Sequence, residues 1–147
     1  MHERGWVQAA HSPSVIVDAA TLTGACVVAL GEYAAGMFAN DDALALRLRD
    51  AGAAVGERLH AMPIYPEHRA ELTCDIADLS STGKGRWGGA CTAAAFLEHF
   101  VDDGVVWAHL DIAGPAMTGE ARGSWPKGGT GFGAAALASF VVGAAAE

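Results

Sequence analysis

Ser14-Val15-Ile16-Val17-Asp18-Ala19 is a β-branched, largely apolar run without polar alternation, opened by Pro13, and it reads as a strand buried on both faces. A strand of that kind needs helices on either side of it. The sequence supplies candidates. Asn40-Asp41-Asp42 offers an N-cap and first-turn acids, and Leu44, Ala45, Leu48, Ala51 and Val55 then recur at helical spacing. Ala93, Phe96, Leu97, Phe100 and Val101 form a second helical stripe, expected to end near Asp102-Asp103-Gly104. Phe132 to Val142 is a third, almost wholly apolar helix that could cover one face of a sheet.

Between these lie further strand signals. Ala34 to Ala39 reads as a strand, Met62-Pro63-Ile64-Tyr65 as an extended segment, and Val105 to Gly114 as a strand stopped by Gly114-Pro115. A short helix from Pro66 to Leu72 has proline at its start. Cys74 to Gly89 and Thr118 to Gly131 read as loops, and Ala25 to Leu30 is too short to assign. The alternation of strand and helix predicts an α/β class. With 147 residues and no repeat or interior linker, one domain is expected over residues 1–147.

Charge and cysteine content exclude several functions. Seventeen acidic against nine basic residues give a net charge of −8, with the basic residues scattered, so nucleic acid is not an expected partner. Met1 to Gln8 lacks the apolar run of a signal peptide, and the stretch from Gly131 to Ala146 is broken and shorter than the roughly 20 residues of a membrane span. A cytoplasmic protein that does not enter membranes is expected. Cys26, Cys74 and Cys91 are odd in number and widely spaced, which suits a reducing compartment and core packing.

Few residue patterns carry chemistry on their own. Gly83-Lys84-Gly85-Arg86-Trp87-Gly88 satisfies a phosphate-loop spacing, but no buried strand precedes it, so a plain glycine loop is the better reading. His109 and Asp111 alternate onto one face of a strand, where they could share a metal or serve as base and orienting acid, although two ligands make no site and hydrogen-bonded structure is more common. Asp75 and Asp78 read as loop anchors, and Ser80, Ser81 and Ser124 lie in turns. Trp87, Trp107 and Trp125 suit cores and interfaces better than a ligand pocket.

Longer segments carry a resemblance. Val17-Asp18-Ala19-Ala20-Thr21-Leu22-Thr23-Gly24-Ala25-Cys26, Gly36-Met37-Phe38-Ala39-Asn40, Gly88-Gly89-Ala90-Cys91-Thr92-Ala93-Ala94-Ala95-Phe96-Leu97 and Trp107-Ala108-His109-Leu110-Asp111-Ile112-Ala113-Gly114 resemble the leucyl aminopeptidase family, in its order and at its spacing. The likeness runs from about Ser14 to Val142 and corresponds to the C-terminal part of that family's catalytic domain, a partial three-layer α/β/α sandwich. It implies an enzyme that removes N-terminal, leucine-type residues from peptides with two divalent ions, zinc, manganese or magnesium. The family's metal-binding motifs, G-K-G-x-T-F-D and N-T-D-A-E-G-R, have no counterpart here, and Val7-Gln8-Ala9-Ala10 only faintly suggests the helix downstream of the second.

The resemblance therefore implies neither catalytic nor metal-binding residues on this chain, no cofactor on this chain alone, and no activity by itself. It does imply substrate-binding positions: Thr21, Leu22 and Gly24 after the first strand, and Ala113 and Gly114 after the third. Peptide N-termini are the expected ligands, and further copies of the chain or a missing upstream segment the expected partners. The alternative is a non-catalytic peptide-binding or assembly module derived from the same family.

Overall fold

A computed structural model describes residues 11–145. The N-terminal stretch considered above, Met1 to Gln8 with Val7-Gln8-Ala9-Ala10, lies outside the described residues.

Local chemistry places the elements in chain order. Strand β1 (Val15–Ala20) leads through Thr23, whose hydroxyl accepts from the Cys26 N–H at 2.9 Å, into helix α1 (Gly24–Leu30), the segment too short to assign from sequence. After β2 (Ala35–Ala39), Asp41 caps α2 (Asp42–Ala54) by accepting from the Leu44 N–H at 2.7 Å. Asn40 serves a different purpose from the expected cap. Its amide bridges to the Val105 carbonyl and the Trp107 N–H, at 3.0 and 2.7 Å.

Strand β3 is Leu59–Ala61, just ahead of the extended segment expected at Met62 to Tyr65. Helix α3 (Pro66–Ala70) is two residues shorter than its reading. Helix α4 (Gly89–Glu98) starts earlier and stops short of Phe100 and Val101, and a bidentate Arg69–Glu98 ion pair at 2.7 and 2.8 Å ties it to α3. Strand β4 (Val106–Asp111) follows. The loop expected from Thr118 holds a small ribbon, β5 (Met117–Thr118) with β6 (Gly128–Gly129), before α5 (Ala134–Ala144).

Four strands pair in the order β1-β4-β2-β3, giving a mixed sheet: β4 runs parallel to β1 and antiparallel to β2, and β2 runs parallel to β3. Alternation along β2 and β4 divides the apolar side chains between two faces. Ala35, Met37, Ala108 and Leu110 meet Leu44 and Leu48 of α2 and Ala136 of α5 on one side. Phe38 and Trp107 meet Cys26 of α1 and Ala90, Cys91 and Ala94 of α4 on the other. The result is the α/β/α layering implied by the resemblance. Helix α1 lies close to β2, since a Cβ on Gly36 would stand 2.8 Å from Cys26 Sγ.

One expectation is corrected. Strand β1 is an edge strand among the described residues and is not buried on both faces, with Val15 40% exposed. The strands sandwiched between layers are β2 and β4, and in β4 Trp107 to Asp111 are all buried.

A side-chain anchor no local pattern announces joins the layer of α5 to the end of α2. Glu57 is buried, and its carboxylate accepts from the Ala136 N–H at 2.8 Å, inside the first turn of a helix whose own N-cap, Gly133, has no side chain to offer. Replacing it by Ala strands that N–H in the core. Urea unfolding of Glu57→Ala is expected to show a loss of about 1–3 kcal/mol, with Glu57→Gln, which keeps an acceptor oxygen, losing less.

Candidate functional site

Polar side chains converge where β1 and β4 end. Trp107, His109 and Asp111 alternate onto the α1/α4 side of the sheet, and Asp18 sits opposite His109 in the parallel register. Asp18 accepts from Trp107 Nε1 at 2.8 Å with one oxygen and meets His109 Nδ1 at 2.5 Å with the other. The imidazole is fully buried, with the rings of Phe38 and Trp107 close to parallel with it at 6.2 and 6.5 Å between centroids, and its Nε2 has no partner among the described residues. This arrangement holds the two strands together from side chain to side chain, beneath the backbone ladder.

Two residues further along, Asp111 has no solvent exposure and four donors. Its Oδ1 accepts from the N–H groups of Leu22 and Ala113, each at 3.1 Å, and of Thr23 at 3.4 Å, while Oδ2 accepts from the Thr23 hydroxyl at 2.7 Å. A carboxylate can only accept, so four donors suit it. His109 and Asp111 share a face as the strand period requires, but each is engaged elsewhere. They form neither a base with its orienting acid nor a shared metal site among the described residues.

The expected binding positions can now be placed. Leu22 and Ala113 are drawn together by the same oxygen of Asp111. Thr21 and Gly24 are exposed on the turn and at the start of α1. Gly114 is buried, with a Cβ there falling 2.1 Å from the Gly31 carbonyl oxygen, so it serves close packing of the β4 exit against the α1 exit. Leu22 and Thr23 open onto a cavity of about 340 Å³ bordered by Ser81, Thr82, Gly83 and Thr92. Sequence reasoning missed Thr23 and the Ser81 to Gly83 wall, because the loop reaches this turn only through the placement of α4.

Other candidates have different surroundings. Burial pushes the Cys26 thiol up, and Asp111 adds to the effect; burial likewise raises Cys91. Neither is an activated nucleophile. Trp107 is core and Trp125 packs beside Phe132, as expected, whereas Trp87 is 80% exposed and borders an apolar cavity of about 390 Å³ with Arg86, Val28 and Met62. Asp75 and Asp78 are exposed, and Ser80 bonds the Thr82 carbonyl within its own turn.

A profile of the cytosol aminopeptidase family, catalytic domain, matches residues 5–138. A probable cytosol aminopeptidase of Parasynechococcus marenigrum is 49% identical over 129 residues, covering 88% of this chain and 26% of that protein. The cytosol aminopeptidase of Rickettsia prowazekii is 46% identical over 137 residues, covering 92% and 27%. This chain thus spans about a quarter of the length of the curated relatives it matches. Among solved structures, a tomato leucine aminopeptidase mutant superposes with TM-score 0.83 at 41% identity, covering 91% of this chain and 25% of that one. The bottromycin maturation enzyme BotP does so with TM-score 0.88 at 37% identity, covering 96% and 32%, and it has also been solved in complex with Mn.

Two outcomes check this geometry. Gly114→Ala is expected to cost about 1–3 kcal/mol in urea unfolding, because the new Cβ must displace backbone rather than a flexible side chain. Under native conditions, iodoacetamide is expected to alkylate the partly exposed Cys74 well before the buried Cys26 and Cys91, as read by mass spectrometry of timed digests.

Proposed function

Since this chain belongs to the cytosol aminopeptidase family, we propose that it is the C-terminal part of a leucine-type aminopeptidase catalytic domain and carries the surface on which a peptide's first residues lie. One observation carries the reading: Leu22 and Ala113, from two strand ends, are fixed on a single buried carboxylate beside a hydroxyl-bordered cavity. Ligands of α/β sheets bind beyond the carboxyl ends of the strands, which is where both residues stand. Thr21, Leu22 and Gly24 on one side, with Ala113 and Gly114 on the other, are the proposed substrate-binding positions.

The family's chemistry needs divalent ions to polarise the scissile carbonyl and activate a water. The described residues do not fit that role. No group of three or more His, Cys, Asp or Glu among them is placed to hold a metal ion. Both oxygens of Asp111 are taken by donors, and those of Asp18 by Trp107 and His109. We therefore assign the described residues peptide contacts and no catalytic group, and the proposed ions, zinc, manganese or magnesium, would be held by residues outside them. A cytoplasmic location and homo-oligomeric assembly, or association with an upstream segment, belong to the same proposal. The naming of the relatives as cytosol aminopeptidases supports the location, and no helix among the described residues is long and apolar enough to cross a membrane.

A second reading, a non-catalytic peptide-binding module, is favoured by the same separation of peptide surface from metal ligands. The test is hydrolysis of a leucine anilide by the purified chain across manganese and zinc titrations, with a chelated control, alongside peptide binding by calorimetry. The expected outcome is no turnover at any metal concentration. Turnover that depends on metal would overturn the assignment of no catalytic group to the described residues, and absence of peptide binding would remove both readings.

A further inference from the structure

We propose that Asp111 is a positioning residue for peptide recognition: it turns the backbone at Thr21 to Thr23 so that carbonyl oxygens, rather than N–H groups, face a bound peptide. The inference rests on the functional reading above and concerns how that surface is made.

The geometry follows from planar peptide chemistry. The described chain has no cis peptide bonds, and in a trans unit the C=O points opposite to the N–H of the next residue. The Leu22 N–H is aimed inward at Asp111 Oδ1, so the Thr21 carbonyl points away from it; the Thr23 N–H is aimed at the same oxygen, so the Leu22 carbonyl points away as well. Two successive acceptors are thereby turned outward on a turn whose residues Leu22 and Thr23 border the cavity. Such a pair suits the N–H donors of an extended peptide near its N-terminus.

Thr23 reinforces the arrangement. Its hydroxyl accepts from the Cys26 N–H at 2.9 Å and donates to Asp111 Oδ2 at 2.7 Å, so one side chain starts α1 and fixes the turn against β4. The third N–H on Asp111, from Ala113, sets the opposite wall by the same oxygen. Orientation established before binding spares the ligand the cost of ordering the turn.

The test compares, by calorimetry on the full chain, a leucine-initiated tripeptide with its analogue carrying an ester in place of the first peptide bond. The ester lacks the N–H that an outward carbonyl would accept. The unsubstituted chain is expected to prefer the amide by about fivefold, the worth of one such hydrogen bond. In Asp111→Ala the ratio is expected to fall to near one. Thr23→Val, which keeps the carboxylate and loses the hydroxyl, is expected to lower it, and Thr23→Ser to restore it.

Hydrogen exchange at β2 and α2 identifies variants that remain folded, and Thr23→Val with Thr23→Ser decides the matter if Asp111→Ala does not fold. Peptide binding with no amide preference, or with a preference that survives in folded Asp111→Ala or Thr23→Val, overturns the positioning role and leaves the functional reading standing. No binding of either ligand to the unsubstituted chain overturns both.

Discussion

Putting polar side chains into a strand enclosed by both helical layers is the constraint on which the rest of this structure depends. Strand β4 has neighbours on each edge and helices on each face, yet it carries His109 and Asp111, both with no exposure. Buried polar groups are tolerated when they are hydrogen-bonded and are costly when they are not. The chain meets that demand for Asp111 with the Leu22 to Thr23 turn and for one ring nitrogen of His109 with Asp18, while His109 Nε2 has no partner among the described residues. Both solutions come from β1 and its exit, so satisfying the centre of the sheet also fixes its first strand.

The consequence is a division of labour along β4. Its apolar positions, Ala108 and Leu110, serve the α2/α5 layer, while Trp107, His109 and Asp111 face the α1/α4 layer and organise polar contacts. Asp111 ties the exits of β1 and β4 together, since each of its side-chain contacts is a donor from the protein itself.

Much of the fold was legible from local patterns because the physics behind them is local. The spacing of Leu44 and Leu48 and the acids before them gave α2, and the β-branched and aromatic run after Gly104 gave β4. The exposure of β1 was not legible. An apolar run reports that a strand can be buried, while its place at the edge among the described residues is decided by which strand pairs with it. Asn40 read as a cap by composition and proved to be a bridge to Val105 and Trp107, because Asp41 stands one residue nearer the helix. The site divided in the same manner. Leu22 and Ala113 came from likeness of sequence, whereas their common anchor on Asp111 and the wall at Ser81 to Gly83 depend on contacts across the fold.

The strand order also governs how the chain can reach this structure. Asp18 meets a partner 91 residues further on, so β1 finds no neighbour among the described residues until nearly all of the intervening chain exists. Strand β2 waits for the same partner, although its parallel pairing with β3 across α2 is comparatively local. Loops this long must be closed before the contacts that reward them can form, which places such topologies among the slower folders. On a ribosome, the β2-α2-β3 unit can assemble early, while β1 meets no partner among the described residues until β4 emerges to take its place between β1 and β2.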